Sequence, residues 1–514
     1  TLRIEGGGRY IHSRYDPWRE ATRLASRQQG YLVLLGIGCG YLAAAAASSP
    51  GIAGVLAIEP DPAVAATVAR EADLTHLQSL PAKMRLLYTD SPRLMRDAVA
   101  AFYLPALHEK VTLQVTEGYD SLLELYPFKE AFREGVERAV GNYRTMASLG
   151  RSWTRNIIIN ASELAAAGSP ELATAGSPAL GLLGEPIRPP RRAAILGAGP
   201  SLEEWLVRAA PQSEELLLLA ADTALPALLA RGVKPHLVAS IDSQVATYHH
   251  YLASARLFSA PLPPEEKPLV VADLTAPPLL GRLGGRVAFF GGGHPLAELL
   301  LESSRTLRGL STEGGNVGYT LLSAAVALGA KEVEIAGIDY AYLEGRGYAR
   351  GSYLDHYFLS RIDRKSSLIS RWTALLWRDS DSRQMTGRSP WSYADPRLLR
   401  FAESFDRSVQ SYQARGIVIR HVSFSLKARS GEPGAGRIPP VVPADGIGEN
   451  LSELAGSLRK SVSAAPRPVW LLSREEKALL PLAAWYREHP HRGAGDPLEA
   501  ARRLTLEYLG RRVD

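Results

Sequence analysis

The chain has 514 residues, more than one hydrophobic core usually supports, so two to four domains are expected. Apolar residues make up 46% and charged ones 22%, the balance of a folded globular protein, which argues against disorder as the default state. The formal net charge of +6, from 59 basic and 53 acidic residues, favours anionic ligands only mildly, and the arginines between Arg188 and Arg192 sit among prolines without interleaved aromatics, so no nucleic-acid partner is expected.

A single cysteine, Cys39, rules out an internal disulfide and a cysteine-based zinc site and fits a reducing compartment. It lies in an apolar glycine turn, where packing is its expected use. No segment approaches the roughly 18 to 20 apolar residues that span a bilayer, and no charged-then-apolar signal pattern opens the sequence. A cytoplasmic protein without membrane insertion is expected.

Residues 1–120 read as an N-terminal Rossmann-like α/β domain. Tyr31–Leu35, Gly54–Ile58, Met84–Tyr88 and Val111–Val115 are short apolar runs separated by helix-like segments. The first run enters Gly36-Ile-Gly-Cys-Gly40, and the second ends at Glu59, nineteen residues after Gly40. That is the spacing of dinucleotide and methyl-donor folds, where glycines cradle the ligand and the acid accepts from ribose hydroxyls. No further polar anchor follows, so a structural use of this turn is expected.

Residues 121–189 read as a helical connection and linker, with Phe128, Phe132, Val136 and Val140 marking one buried face and a Gly/Ser/Pro cluster from Gly168 to Pro178 ending the pattern. Residues 190–428 read as a central α/β domain, with strands at Ala193–Leu196, Leu216–Ala220, Leu237–Ile241, Leu269–Ala272, Val287–Phe290, Val333–Ala336 and Ile417–Ile419. Alternating strands and helices predict a doubly wound, mostly parallel sheet. Residues 429–514 read as a Gly/Pro-rich linker and a C-terminal helical region, in which Ser473 and Glu476 have capping-box spacing.

The chemistry is expected in the central domain. Three strand ends carry Gly197-Ala-Gly-Pro-Ser-Leu202, Asp222 and Asp242, and a second glycine cluster, Ser311-Thr-Glu-Gly-Gly-Asn-Val-Gly318, opens a helix at Tyr319. In an open α/β sheet ligands sit outside the carboxyl ends of the strands, and helix N-termini suit phosphate or carboxylate groups. One cleft is predicted, lined by Gly197, Gly199, Ser201, Asp222, Asp242, Thr312, Gly314, Gly315 and Asn316.

Gly197–Leu202, Ala221-Asp-Thr-Ala-Leu225 with Gly232-Val-Lys-Pro235, Ser240-Ile-Asp-Ser-Gln244, Glu313–Gly318 and Gly337-Ile-Asp-Tyr-Ala-Tyr342 together resemble the motility accessory factor (Maf) flagellin glycosyltransferases. The opening Tyr10-Ile-His-Ser-Arg-Tyr-Asp-Pro17 is similar to that family's N-terminal segment. The resemblance covers most of the chain. It implies a central domain like bacterial sialyltransferases, and transfer of a nonulosonic acid, of the pseudaminic or legionaminic type, from its cytidine monophosphate (CMP) conjugate to Ser or Thr of flagellin. No cofactor beyond that donor is implied. On this reading Gly197, Gly199, Pro200 and Ser201 hold the donor phosphate, with Asp222, Gln244, Thr312, Gly314, Gly315, Asn316 and Asp339 also lining the substrate site.

Sialyltransferases of this type place a catalytic histidine before a late helix, yet Ser389–Asp395 contains none. The base candidates are therefore His356, His294 and Asp242, while Tyr340, Tyr342 and Tyr353 could donate to the leaving phosphate. The central domain is also similar to an archaeal 6-hydroxymethylpterin pyrophosphokinase family that uses ATP and magnesium. That chemistry needs clustered carboxylates, and Ser240–Gln244 offers one. A non-catalytic flagellin-binding scaffold is the third reading.

Overall fold

The protein is described here from a computed structural model. It describes residues 10–71, 82–119, 124–166, 192–208, 215–252, 254, 257–258, 267–282, 286–301, 310, 316–378, 382–384, 392–421, 447–459, 468–492 and 495–513. The chain forms two compact units: Thr1–Arg151 with Gly456–Glu507, and Ser152–Ala455 with Tyr508–Asp514.

The first unit is built on four parallel strands, β1 (Gly30–Leu35), β2 (Ile52–Glu59), β3 (Met84–Tyr88) and β4 (Val111–Val115), in the order β3-β2-β1-β4. The central strands read as continuous apolar runs because both faces are covered. The helices Pro17–Ala25 and Tyr41–Ser48 cover one face through Ala21, Ala25, Leu42, Ala43 and Ala46. Met95 and Val99 cover the other, together with the expected Phe128, Phe132, Val136 and Val140 stripe of the long helix Leu125–Ala166. The capping box at Ser473 and Glu476 opens the helix Arg474–Glu488 as expected, and Ala484 of that helix packs on Ala106 and Ala147.

The second unit carries seven parallel strands. They are β5 (Arg192–Leu196), β6 (Leu217–Ala221), β7 (Leu237–Ser240), β8 (Leu269–Asp273), β9 (Arg286–Phe290), β10 (Glu332–Ala336) and, after the antiparallel pair β11 (Arg383–Gln384) and β12 (Tyr393–Ala394), β13 (Val418–His421). Their order is β13-β10-β5-β6-β7-β8-β9, with every neighbouring pair parallel. The chain thus walks outward from β5 to β9 and then returns to lay β10 on the other side of β5. The reversal puts the topological switch point at the carboxyl ends of β5 and β10, the place where ligands bind in doubly wound sheets. The expected doubly wound sheet is present.

Candidate functional site

The turn after β5 and the turn after β10 are locked together. Gly197 donates its N–H to the Ala336 carbonyl at 2.8 Å and Gly199 donates to the Gly337 carbonyl at 2.8 Å. Ser201 donates its N–H to Asp339 Oδ2 at 3.0 Å and its hydroxyl to Asp339 Oδ1, while Ser201 Oγ accepts the Gly337 N–H at 2.9 Å. A Cβ on Gly197 would collide with the Gly337 carbonyl, and one on Gly199 with the Asp339 carboxylate. The glycines are therefore required by the close crossing of two backbones. The N–H donors of Gly197, Gly199 and Ser201, expected to face a phosphate, are engaged by the Ala336 carbonyl, the Gly337 carbonyl and the Asp339 carboxylate.

Beside this lock the helix Val317–Ala327 begins. Asn316 caps it, its Oδ1 accepting from the Tyr319 N–H at 3.1 Å and from the Tyr340 hydroxyl at 2.6 Å. The other end of that amide, Nδ2, is buried and has no hydrogen-bond partner among the described residues. A buried donor of this kind costs free energy unless something accepts from it, and it lies at the positive end of a helix. Tyr340 itself sits at φ 45°, a left-handed conformation that a tyrosine rarely adopts. Burial holds its phenol well above its ordinary pKa, so it is a donor at all relevant pH values. Tyr342 is buried and pairs through its backbone with Tyr393 at 2.7 Å and 3.0 Å. Thr312, Gly314 and Gly315 lie outside the described residues.

Along the same edge, Asp222 follows β6 and is buried. Its Oδ1 accepts the Thr223 N–H at 2.7 Å and its Oδ2 the Ser240 hydroxyl at 2.7 Å, and Ser240 Oγ lies 2.7 Å from the Tyr251 hydroxyl. Burial, with the charge of Asp242 as a minor contribution, pushes Asp222 up to about 7. Asp242 is itself raised, by desolvation, and accepts the Gln244 N–H at 2.9 Å at an exposed position. Next to this loop the helix Ala246–Leu252 presents His249, which stacks on Tyr353 with ring centroids 5.0 Å apart. His250 and Tyr251 belong to this cluster and carry no sequence signal, while Ser240 opens the Ser240–Gln244 motif.

His356 is exposed on the helix Tyr353–Leu359, three residues from Tyr353. His294 cannot serve as the base. Its Nδ1 accepts the Leu296 N–H at 3.1 Å, and burial lowers its pKa to about 3, so the neutral ring carries its proton on Nε2 and offers no open lone pair. Asp273, which follows β8, is a further buried carboxylate that sequence reasoning passed over, pushed up to about 6 by desolvation.

The glycine turn of the first unit is closed from within. Ile37 and Gly38 donate their N–H groups to Glu59 Oε2 at 2.9 Å and 3.1 Å, and the Tyr119 hydroxyl donates to the same oxygen at 2.6 Å. Cys39 donates to His12 Nε2 at 3.0 Å. A Cβ on Gly36 would sit 2.5 Å from the Tyr119 ring, so that ring occupies the space over the turn. The acid that contacts ribose in ligand-binding relatives of this fold here holds its own loop.

Residues 173–345 match the family described as 6-hydroxymethylpterin diphosphokinase MptE-like. An uncharacterized protein of Treponema pallidum (strain Nichols) is 32% identical over 124 residues, which are 24% of this chain and 44% of that protein. A second from the same organism is 30% identical over 177 residues, 32% of this chain and 57% of that one. The chain thus spans about half the length of these curated relatives. The structure of a Maf glycosyltransferase from Magnetospirillum magneticum AMB-1 is similar with a TM-score of 0.54 and 12% identity, covering 99% of this chain and 84% of that one. The Maf-like fold expected from the motifs therefore extends along nearly the whole chain.

Proposed function

We propose that the protein is a glycosyltransferase that moves a nonulosonic acid, of the pseudaminic or legionaminic type, from its CMP conjugate to Ser or Thr of flagellin, in support of flagellum assembly and motility. The observation that carries this reading is the likeness in fold to a Maf glycosyltransferase over 99% of the chain. The polar groups at the carboxyl ends of β5 and β10 support it. Departure of CMP builds negative charge on its phosphate, which fixed donors in a partly dry site can stabilise. The Asn316 amide and the start of the helix Val317–Ala327 are such donors, and the neutral Tyr340 phenol orients that amide by donating to Asn316 Oδ1. The acceptor hydroxyl needs a base, and Asp242 and His356 are the accessible candidates. The charge of Asp242 contributes to raising the pKa of Asp222, which places the two carboxylates within electrostatic reach of each other.

The diphosphokinase reading is favoured by the match at residues 173–345. Among the described residues no three of His, Cys, Asp and Glu converge, so a magnesium ion would be held by one or two carboxylates together with the substrate phosphates. Titration calorimetry separates the two. The transferase reading expects CMP to bind without magnesium; binding of ATP and a hydroxymethylpterin with magnesium, and not of CMP, would move the assignment.

A further inference from the structure

Exposed large apolar side chains gather at one place on the second unit. The helices Tyr353–Leu359 and Leu368–Leu376 form a hairpin whose tip exposes Leu359, Ile362 at 49% and Ile369 at 77%, with Tyr357 and Trp377 also exposed on its flanks. The hairpin does not need these groups for its own packing. Ser352 and Ser367 cap the two helices, and the Asp363 carboxylate closes the turn by accepting the N–H groups of Lys365 at 2.7 Å and Ser366 at 2.9 Å. Inside, Trp372 and Leu376 are buried, and Phe358 packs edge-on against Trp372 at 4.8 Å. Aliphatic side chains left in water beside a complete local core mark an interaction surface.

The charge around them selects the occupant. Arg361, Arg364, Lys365 and Arg371 border the apolar tip, and between Leu359 and Trp372 the one carboxylate is Asp363, already engaged with the turn. Arg364 and Lys365 are exposed and form no ion pair among the described residues. Aliphatic groups that enter the acyl boundary, cations on the phosphates and aromatic rings at headgroup level are the composition of a peripheral membrane contact, which needs both an apolar and a basic contribution to hold.

We propose that the tip of the hairpin, at Leu359, Ile362, Arg364, Lys365 and Ile369, docks the protein on an anionic phospholipid bilayer. The contact is peripheral. Each cation near such a surface is worth about fivefold in partitioning. The test is flotation of the intact chain with phosphatidylcholine vesicles with and without about one-third phosphatidylglycerol. The protein is expected to float with the anionic vesicles and to stay down with phosphatidylcholine alone. Arg364→Glu with Lys365→Glu is expected to weaken flotation by tenfold or more, and Ile362→Ser with Ile369→Ser to weaken it comparably. All four side chains are exposed, so circular dichroism and melting should match the parent. Failure to float with anionic vesicles, equal flotation on neutral ones, or parent-like flotation of both double variants overturns the proposal. A protein complex held through the same residues without flotation assigns the tip to a protein partner and overturns it as well.

Discussion

Ser201 and Asp339, 138 residues apart in sequence, clamp the two strand ends that flank the switch point, the serine N–H donating to the carboxylate at 3.0 Å. Their side chains are both buried. Replacing Ser201 by Ala removes the acceptor of the Gly337 N–H and one donor to the Asp339 carboxylate, and leaving a buried polar group unpaired costs about 1 to 3 kcal/mol. Ser201→Ala is therefore expected to lower the unfolding transition of the second unit in calorimetry and to weaken ligand binding together with it.

The crossing of the two turns predicts a contrast among glycines. Gly197→Ala forces a Cβ into the Gly337 carbonyl, and the backbone cannot yield without breaking the lock. Gly141, inside the helix Leu125–Ala166, has nothing within 4 Å of such a Cβ. Urea melts should show Gly197→Ala strongly destabilised and Gly141→Ala unchanged or stabilised by about 0.5 to 1 kcal/mol.

Asp222 and Asp273 have folded pKa values raised to about 7 and about 6. A carboxyl whose pKa rises on folding binds more protons in the native state, so its contribution to stability is full below the unfolded value, near 4, and is lost as pH climbs through the folded value. The second unit is expected to lose stability between about pH 4 and pH 7 and to level off above. Asp222→Asn should flatten that slope and raise stability at pH 8 by roughly 1 kcal/mol or more, while the pH profile of activity changes. An unchanged stability slope in that variant would place the titration elsewhere.

In the first unit, Glu59, Tyr119 and His12 already satisfy the glycine turn. Addition of S-adenosylmethionine or nicotinamide dinucleotides should leave hydrogen exchange at Ile37–Cys39 unchanged. Tyr119→Phe, which removes the 2.6 Å bond to a buried carboxylate, should cost about 1.5 to 3 kcal/mol of stability without impairing CMP binding.

Much of the architecture is legible in the sequence because its causes are local. Runs such as Leu32–Leu35 and Leu217–Ala221 are buried on both faces and so stay apolar without alternation, and Ser473 with Glu476 forms a capping box from residues three apart. The strand ends are legible for the same reason, as Asp222 and Gly197 directly follow apolar runs. What those end groups do is not. Gly199 and Ser201 show as a phosphate turn in sequence, yet a carboxylate brought back by β10 takes up the donor of Ser201. Tyr119 closes a turn 81 residues away and His12 one 27 residues away, and neither residue carries a local signal of that role. The Asp222, Ser240 and Tyr251 chain and the left-handed Tyr340 likewise arise from tertiary packing.

The transfer itself can be read by intact-protein mass spectrometry of flagellin coexpressed with the donor pathway and this chain. Flagellin is expected to gain whole increments of one nonulosonic acid residue, and Asp242→Asn with His356→Ala is expected to lower the rate of transfer by about 10² or more, the usual worth of a general base. Unmodified flagellin, with donor and acceptor both confirmed present and the protein folded, would contradict it.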